Sequence, residues 1–323
     1  MIEAARPTAS SNNTFARVFM RILIVGYGSI GARHSRIAAA LGMQVACVSA
    51  NTDCPFQRFE STADAIVRFA PDRIVVANAT ARHADTVREI ARAGFDGGLL
   101  IEKPVYGFPD ETPEVGNMRA YVAYNLRFHP LVQALREHVA RLPVLYSASF
   151  HAGQHLPQWR AGTDYRRSYS ASVEQGGGVL RDLSHEIDLA LWLCGPADRV
   201  AALGGHFSDL EIRSDDVFTT LSANRRCPAV SIGINYLDRM PQRSISLNGP
   251  GLTAVLDLVN GSLTVNGELT RMETERDATY TAQLEAFVRD DTSTLCTLAE
   301  GVDVVRFIGA AENAAARSTW ISL

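Results

Sequence analysis

The stretch RILIVGYGSIGARHSRIAAALG, residues 21–42, places the tightest constraint on what this chain can fold into. RILIVG is a continuous apolar run ending in glycine, the pattern of a strand covered on both faces. SIGARHSRIAAALG then reads as a helix closed by Gly42. The alternation continues with strand-like QVACVSA (44–50), helix-like TADAIVRFA (62–70) and strand-like DRIVVANAT (72–80). Helix-like HADTVREIARAG (83–94) and strand-like GLLIEKP (98–104) complete it. Strands separated by helices need right-handed crossovers, which implies a doubly wound parallel sheet with helices on both faces.

After Pro104 the texture changes. GFPDETPEVGNM (107–118) is rich in turn residues and is not expected to hold a helix. VLYSASFH (144–151), DDVFTTLSA (215–223), AVSIGINYL (229–237), RSISLNG (243–249) and LTAVLDL (252–258) read as strands with short connections. Such spacing predicts a mostly antiparallel sheet. Helical patterns follow at 281–290 and 297–318. The expected fold class is therefore α/β in the first half and α+β in the second. The division runs 1–19 as a loose tail, 20–122 as the nucleotide-binding part and 123–323 as the sheet part.

Bulk numbers exclude several classes. A net charge of −4 with no basic block leaves no footprint for nucleic acid. No apolar run approaches the roughly 20 residues that span a bilayer, and residues 1–19 lack the apolar segment of a signal peptide. The five cysteines are scattered without metal-like or disulfide-like spacing, so no metal site is expected and a reducing, cytoplasmic setting is.

GYGSIG supplies Gly26, Gly28 and Gly31, with Ser29 and Ile30 between them, in the G-x-G-x-x-G spacing. Between a strand and a helix, these glycines permit a tight turn and close backbone approach to a pyrophosphate, which the helix N-terminus attracts. NAD would favour an acidic residue ending the second strand. Here Ser49 and Asn51 stand there and Asp53 comes late, which tips the choice toward NADP over NAD.

Lysine occurs once among 31 Lys and Arg residues, at position 103, where the fourth strand reaches its C-terminal end. Ligands bind along that edge of an open parallel sheet, and an ammonium, unlike a guanidinium, can give up a proton there. A second cluster, GGGVLRDLSHEID (176–188), opens on three glycines and places Asp182 and His185 three positions apart on one helix. A carboxylate beside an imidazole can fix its tautomer for acid–base work.

GYGSIG, EKP (102–104), YNLRFHP (124–130) and GGGVLRDLSHEID together resemble the glucose–fructose oxidoreductase/inositol dehydrogenase/MocA-type family, over essentially residues 20–323. The resemblance implies a Rossmann domain followed by an open-faced sheet domain. It implies hydride transfer between a nicotinamide cofactor and a secondary alcohol or ketone of a sugar, cyclitol or nucleotide sugar. Carried over, Lys103, Asp182 and His185 are catalytic, and Asn78, Thr80, His83 and Glu102 line the cofactor. Asn125 and Arg127 fall in a motif of the substrate side.

Trp159, Arg160, Tyr165, Arg166 and Tyr169 offer ring faces and guanidinium forks to a sugar. That stretch is similar to members from bacterial surface-sugar pathways. Two departures stand out: His185 follows the Asp by three residues where many members have four, and the usual helix after Pro104 is missing. A glycoside-cleaving enzyme that retains NAD and a non-catalytic nucleotide-binding regulator stay open as alternatives. Partners beyond the small-molecule substrate are expected to be further copies of the chain, in a homodimer or homotetramer formed through the C-terminal sheet.

Overall fold

The computed structural model describes residues 20–107, 112–159 and 162–323, so the expected tail at 1–19 lies outside the described residues. The first sheet contains β1 (Arg21–Val25), β2 (Gln44–Val48), β3 (Gln57–Phe59), β4 (Arg73–Val76), β5 (Gly98–Ile101) and β6 (Arg119–Val122). These pair in parallel in the order β3-β2-β1-β4-β5-β6, a doubly wound arrangement whose switch point falls between β1 and β4. Helices α1 (Ser29–Ala40), α2 (Thr62–Phe69) and α3 (His83–Arg92) form the crossovers. The unbroken apolar run of β1 has a direct cause. Ile22 and Ile24 point into the core under α1, whereas Leu23 and Val25 point into the opposite one.

Past β6 comes α4 (Pro130–Ala140), which the sequence analysis did not anticipate. Pro130 sits in its first turn, where a missing N–H costs nothing, and His129 caps it by accepting from the Leu131 amide at 3.2 Å. The chain then forms β7 (Ser147–Gly153), followed by α5 (Val179–Asp182) and α6 (Ser184–Cys194). Next come β8 (Ala197–Gly205), β9 (Val217–Asn224), β10 (Cys227–Asn235), β11 (Gln242–Gly249), β12 (Leu252–Asp257), β13 (Ser262–Val265) and β14 (Glu268–Arg271).

The last elements are α7 (Ala278–Val288), β15 (Cys296–Thr297), α8 (Leu298–Arg317) and β16 (Ile321–Ser322). The second sheet runs β14-β13-β12-β11-β7-β10-β9-β8-β16, and only its β7–β10 pair is parallel among the described strands. Its inner face packs on α6 and α8, while Leu203, Leu221 and Val255 stand exposed on the other.

The chain does not stay with the second sheet. Leu284 and Phe287 of α7 join Ile22 and Ile24 in the core beneath the first sheet, and β15 pairs antiparallel with β6. This return brings α7 to the ligand edge. A second local difference bears directly on the site. The expected single helix through 179–194 is two, broken at Leu183 (φ −100°, ψ 29°). Asp215 anchors the start of α5, its carbonyl and carboxylate accepting from the amides of Val179 and Leu180 at 3.1 and 3.0 Å. No helix among the described residues is long and apolar enough to cross a membrane.

Candidate active site

At the switch point the glycine turn is as constrained as the motif demands. Gly26 has φ +102°, and a Cβ there would lie 2.6 Å from the Asn78 amide nitrogen. A Cβ on Gly31 would lie 2.0 Å from the Gly26 carbonyl oxygen. At Gly28 the space beside the backbone is open for 4 Å, and no side chain caps the α1 N-terminus. Free N–H groups facing open space, beside a turn that only glycine can make, fit a dinucleotide pyrophosphate. Ser29 is exposed at that terminus, and Ile30 is half-buried against the core.

Beyond β2, Ser49 Oγ accepts from the Asn51 amide and Asn51 Oδ1 accepts from the Asp53 amide, both at 3.0 Å. Across the turn, Asn78 donates to Thr86 Oγ1 at 2.8 Å, and Thr80 lies 3.3 Å from where a Cβ would sit on Gly176. His83 departs from the expectation that it lines a cofactor. It is 1 % exposed, with its ring nitrogens 3.1 Å from the carbonyls of Asn78 and Val105. There it braces the ends of β4 and β5 against each other.

Glu102 is buried and faces His34 Nε2 at 2.7 Å, a partner 68 residues away that no sequence pattern announces. Lys103 projects from the strand end and donates to the Asp182 carbonyl at 2.7 Å. Burial lowers its ammonium pKa, against the nearby carboxylates of Asp182 and Glu102. Asp182 does not hold the imidazole as its spacing predicted. Its Oδ2 accepts from Tyr236 Oη at 2.7 Å, and among the described residues His185 Nδ1 has no hydrogen-bond partner. The helix break at Leu183 is the reason, since it takes the two side chains off a common face.

His185 lies edge-on to Tyr124, 5.5 Å between ring centres, and lines an open cavity of ≈ 810 Å³. Burial first, then the charges of Lys103 and Arg243, holds its pKa well below the ordinary imidazole value, so the ring is neutral near pH 7. A neutral imidazole within reach of the charge of a proton-labile amine can manage a hydroxyl proton with it.

The expected substrate residues divide. Asn125 lines the cavity and donates to Thr279 Oγ1 of α7 at 2.7 Å. Arg127 does not reach it. At 2 % exposure its guanidinium is spent on Asp188 at 2.7 Å and Glu300 at 3.3 Å, joining α6 to the start of α8. Trp159 packs edge-on against Tyr236 and, with Tyr165, closes a void of only ≈ 10 Å³, too small for a sugar. Arg166 is paired with Asp164 and Glu211 at the surface, Tyr169 is half-exposed beside the glycine triplet, and Arg160 lies outside the described residues. The structure adds Arg243 and Tyr280 to the cavity wall. Both come from elements distant in sequence, so periodicity carried no signal for them.

Residues 141–234 match the family model described as the GFO/IDH/MocA C-terminal domain. A comparison with curated proteins finds no match. Among solved structures, levoglucosan dehydrogenase in complex with NADH superposes with a TM-score of 0.83 at 17 % identity, covering 94 % of this chain and 99 % of that one. The WlbA dehydrogenase from Bordetella pertussis, in complex with NADH and UDP-GlcNAcA, gives 0.78 at 20 %, covering 94 % and 98 %. UDP-N-acetylglucosamine 3-dehydrogenase from Acidithiobacillus ferrooxidans gives 0.75 at 20 %, covering 93 % and 99 %.

Proposed function

We propose that this chain, whose residues 141–234 match the GFO/IDH/MocA C-terminal domain model, is a nicotinamide-dependent oxidoreductase acting on a secondary alcohol or ketone of a sugar-like substrate. One observation carries the reading. The chain's single lysine ends a strand at the ligand edge of a doubly wound sheet, 2.7 Å from the residue 182 carbonyl and close to an imidazole that lines the large cavity. Two of the similar solved structures, levoglucosan dehydrogenase and the WlbA dehydrogenase, hold NADH, which supports the same cofactor class here.

A bound dinucleotide supplies the hydride chemistry. The chain's part is to hold it and to move one proton. The α1 amides and the open space at Gly28 take the pyrophosphate; Asn78, Thr80 and Glu102 stand on the nicotinamide side. Asp53 ends this turn with a negative charge that disfavours a 2′-phosphate, and the similar structures hold NADH, so we place NAD ahead of NADP. Lys103 polarises the substrate oxygen while His185, neutral at pH 7, accepts the hydroxyl proton in the oxidation direction. Asp182 is a positioning residue: its carbonyl fixes the amine and its carboxylate fixes Tyr236, whose phenol burial keeps protonated. The open face of the second sheet pairs with another copy of the chain.

The test is binding first, turnover second. Thermal shifts with NAD and NADP identify the cofactor, and absorbance of the reduced nicotinamide is then followed over a sugar and nucleotide-sugar panel. Stabilisation by neither dinucleotide overturns the reading.

A further inference from the structure

Glu186 follows His185 on α6 and is 2 % exposed. A buried carboxylate is costly unless paired, and burial raises its pKa against the pull of Arg243. Its Oε1 forms an ion pair with Arg243 Nε at 2.8 Å, its closest cation among the described residues. Arg243 enters from β11, opposite Ala152 of β7. Glu186 thereby holds one edge of a guanidinium whose two Nη groups have no hydrogen-bond partner among the described residues. That free end stands in the wall between the ≈ 810 Å³ cavity and a neighbouring one of ≈ 230 Å³. The guanidinium charge helps keep His185 neutral, but its free end takes no part in moving the proton.

We infer that Arg243, held by Glu186, is the specificity residue of the site and reads a carboxylate on the substrate, so that the substrate class is a sugar acid. The inference rests on the oxidoreductase reading above. A guanidinium end offers two parallel donors matched to the two oxygens of a carboxylate, a geometry that a lysine in its place would lack. A diphosphate suits the cavity less well: Arg276 stands between Glu273 and Glu275 in the lining, so these two carboxylates balance the two guanidinium groups and leave no surplus cation for a dianion. With the carboxylate on Arg243, the rest of the ring faces His185 on one side and Asn125 and Tyr280 on the other.

The experiment compares D-glucuronate, D-galacturonate and D-gluconate with the methyl esters of the two uronates and with the parent sugars, using the full chain and its preferred dinucleotide. Native protein is expected to favour acid over ester in kcat/KM by about 10²-fold, the loss typical of a buried charged partner left unpaired. Arg243→Ala should shrink that ratio to within a few-fold, Arg243→Lys should recover part of it, and Glu186→Gln should raise KM for the acids more than it lowers kcat. Equal turnover of acid and ester by native protein, or an equal loss of both in Arg243→Ala, overturns the inference. Thermal shift by the acids without dinucleotide, present in native protein, reduced in Arg243→Lys and absent in Arg243→Ala, reads the Arg243 site separately from redox turnover. A dinucleotide that binds nowhere therefore sinks the oxidoreductase reading, and acids that give neither shift nor turnover sink this one.

Discussion

At the scale of single residues, the site rests on groups whose charge the surroundings hold away from its ordinary balance. Lys103 donates into a backbone carbonyl in a partly dry niche. Lys103→Ala is expected to lose about 10²- to 10⁴-fold in kcat, the usual scale for removing an acid–base group, with dinucleotide affinity kept. Lys103→Arg should be nearly as poor, because a guanidinium cannot release the proton. Near-native turnover in either variant, read beside a dinucleotide titration, counts against the assignment.

The pH dependence has a definite sign. His185 is held well below 6.5, and it works as a base only when neutral, so the acid limb of kcat/KM for alcohol oxidation should lie below pH 6.5. The same depression acts on stability. Below pH 6.5 the unfolded chain takes up a proton at this position that the folded chain refuses, so the contribution falls as pH drops, by at most about 1.4 kcal/mol per pH unit. Tm measured from pH 7.5 to 5.5 should therefore fall less steeply in His185→Gln than in native protein. Residue type alone also misplaces some candidates. Arg127 and Trp159 look like ligand residues by type, but the partners that consume them, Asp188, Glu300 and Tyr236, come from elsewhere in the chain.

At the scale of elements, the β1–α1 turn separates structural from ligand-directed glycine. Gly31→Ala drives a Cβ into the Gly26 carbonyl, and overpacking of this kind costs about 1–3 kcal/mol or more. Gly28 has φ −83° and open space beside it, so Gly28→Ala should leave Tm within about 1 °C of native while weakening dinucleotide binding severalfold or more. Paired melting curves and titrations check both. The existence of β1, α1, β2, α2, β4, α3 and β5 was readable because each strand is built on an unbroken apolar run and the helices between them alternate apolar and polar positions. The break at Leu183 was not, because Asp215 imposes it from outside the segment.

At the scale of the whole molecule, the two sheets share one core, and α7 threads back from the second to cover the first. Thr279 and Tyr280 of that helix then complete a cavity to which α6 gives His185, β11 gives Arg243, and the segments around 125–129, 258–261 and 272–276 give the rest. The second sheet's outward face carries Leu221, 53 % exposed. If that face pairs two copies, Leu221→Glu should shift the assembly toward monomer in sedimentation with the thermal melt preserved. An unchanged assembly state would remove this face from the interface.

The chain's own order of residues determined the doubly wound sheet, the glycine turn and the strand-end lysine, because periodicity and backbone freedom act over a few neighbouring positions. Only the tertiary structure decided that Asp182 serves Lys103 and Tyr236 rather than His185, that Glu102 meets His34, and that Arg243 leans on Glu186. Those pairings join residues 54 to 79 positions apart, so no local pattern encodes them; they follow from which elements pack together and which buried charges then need a partner.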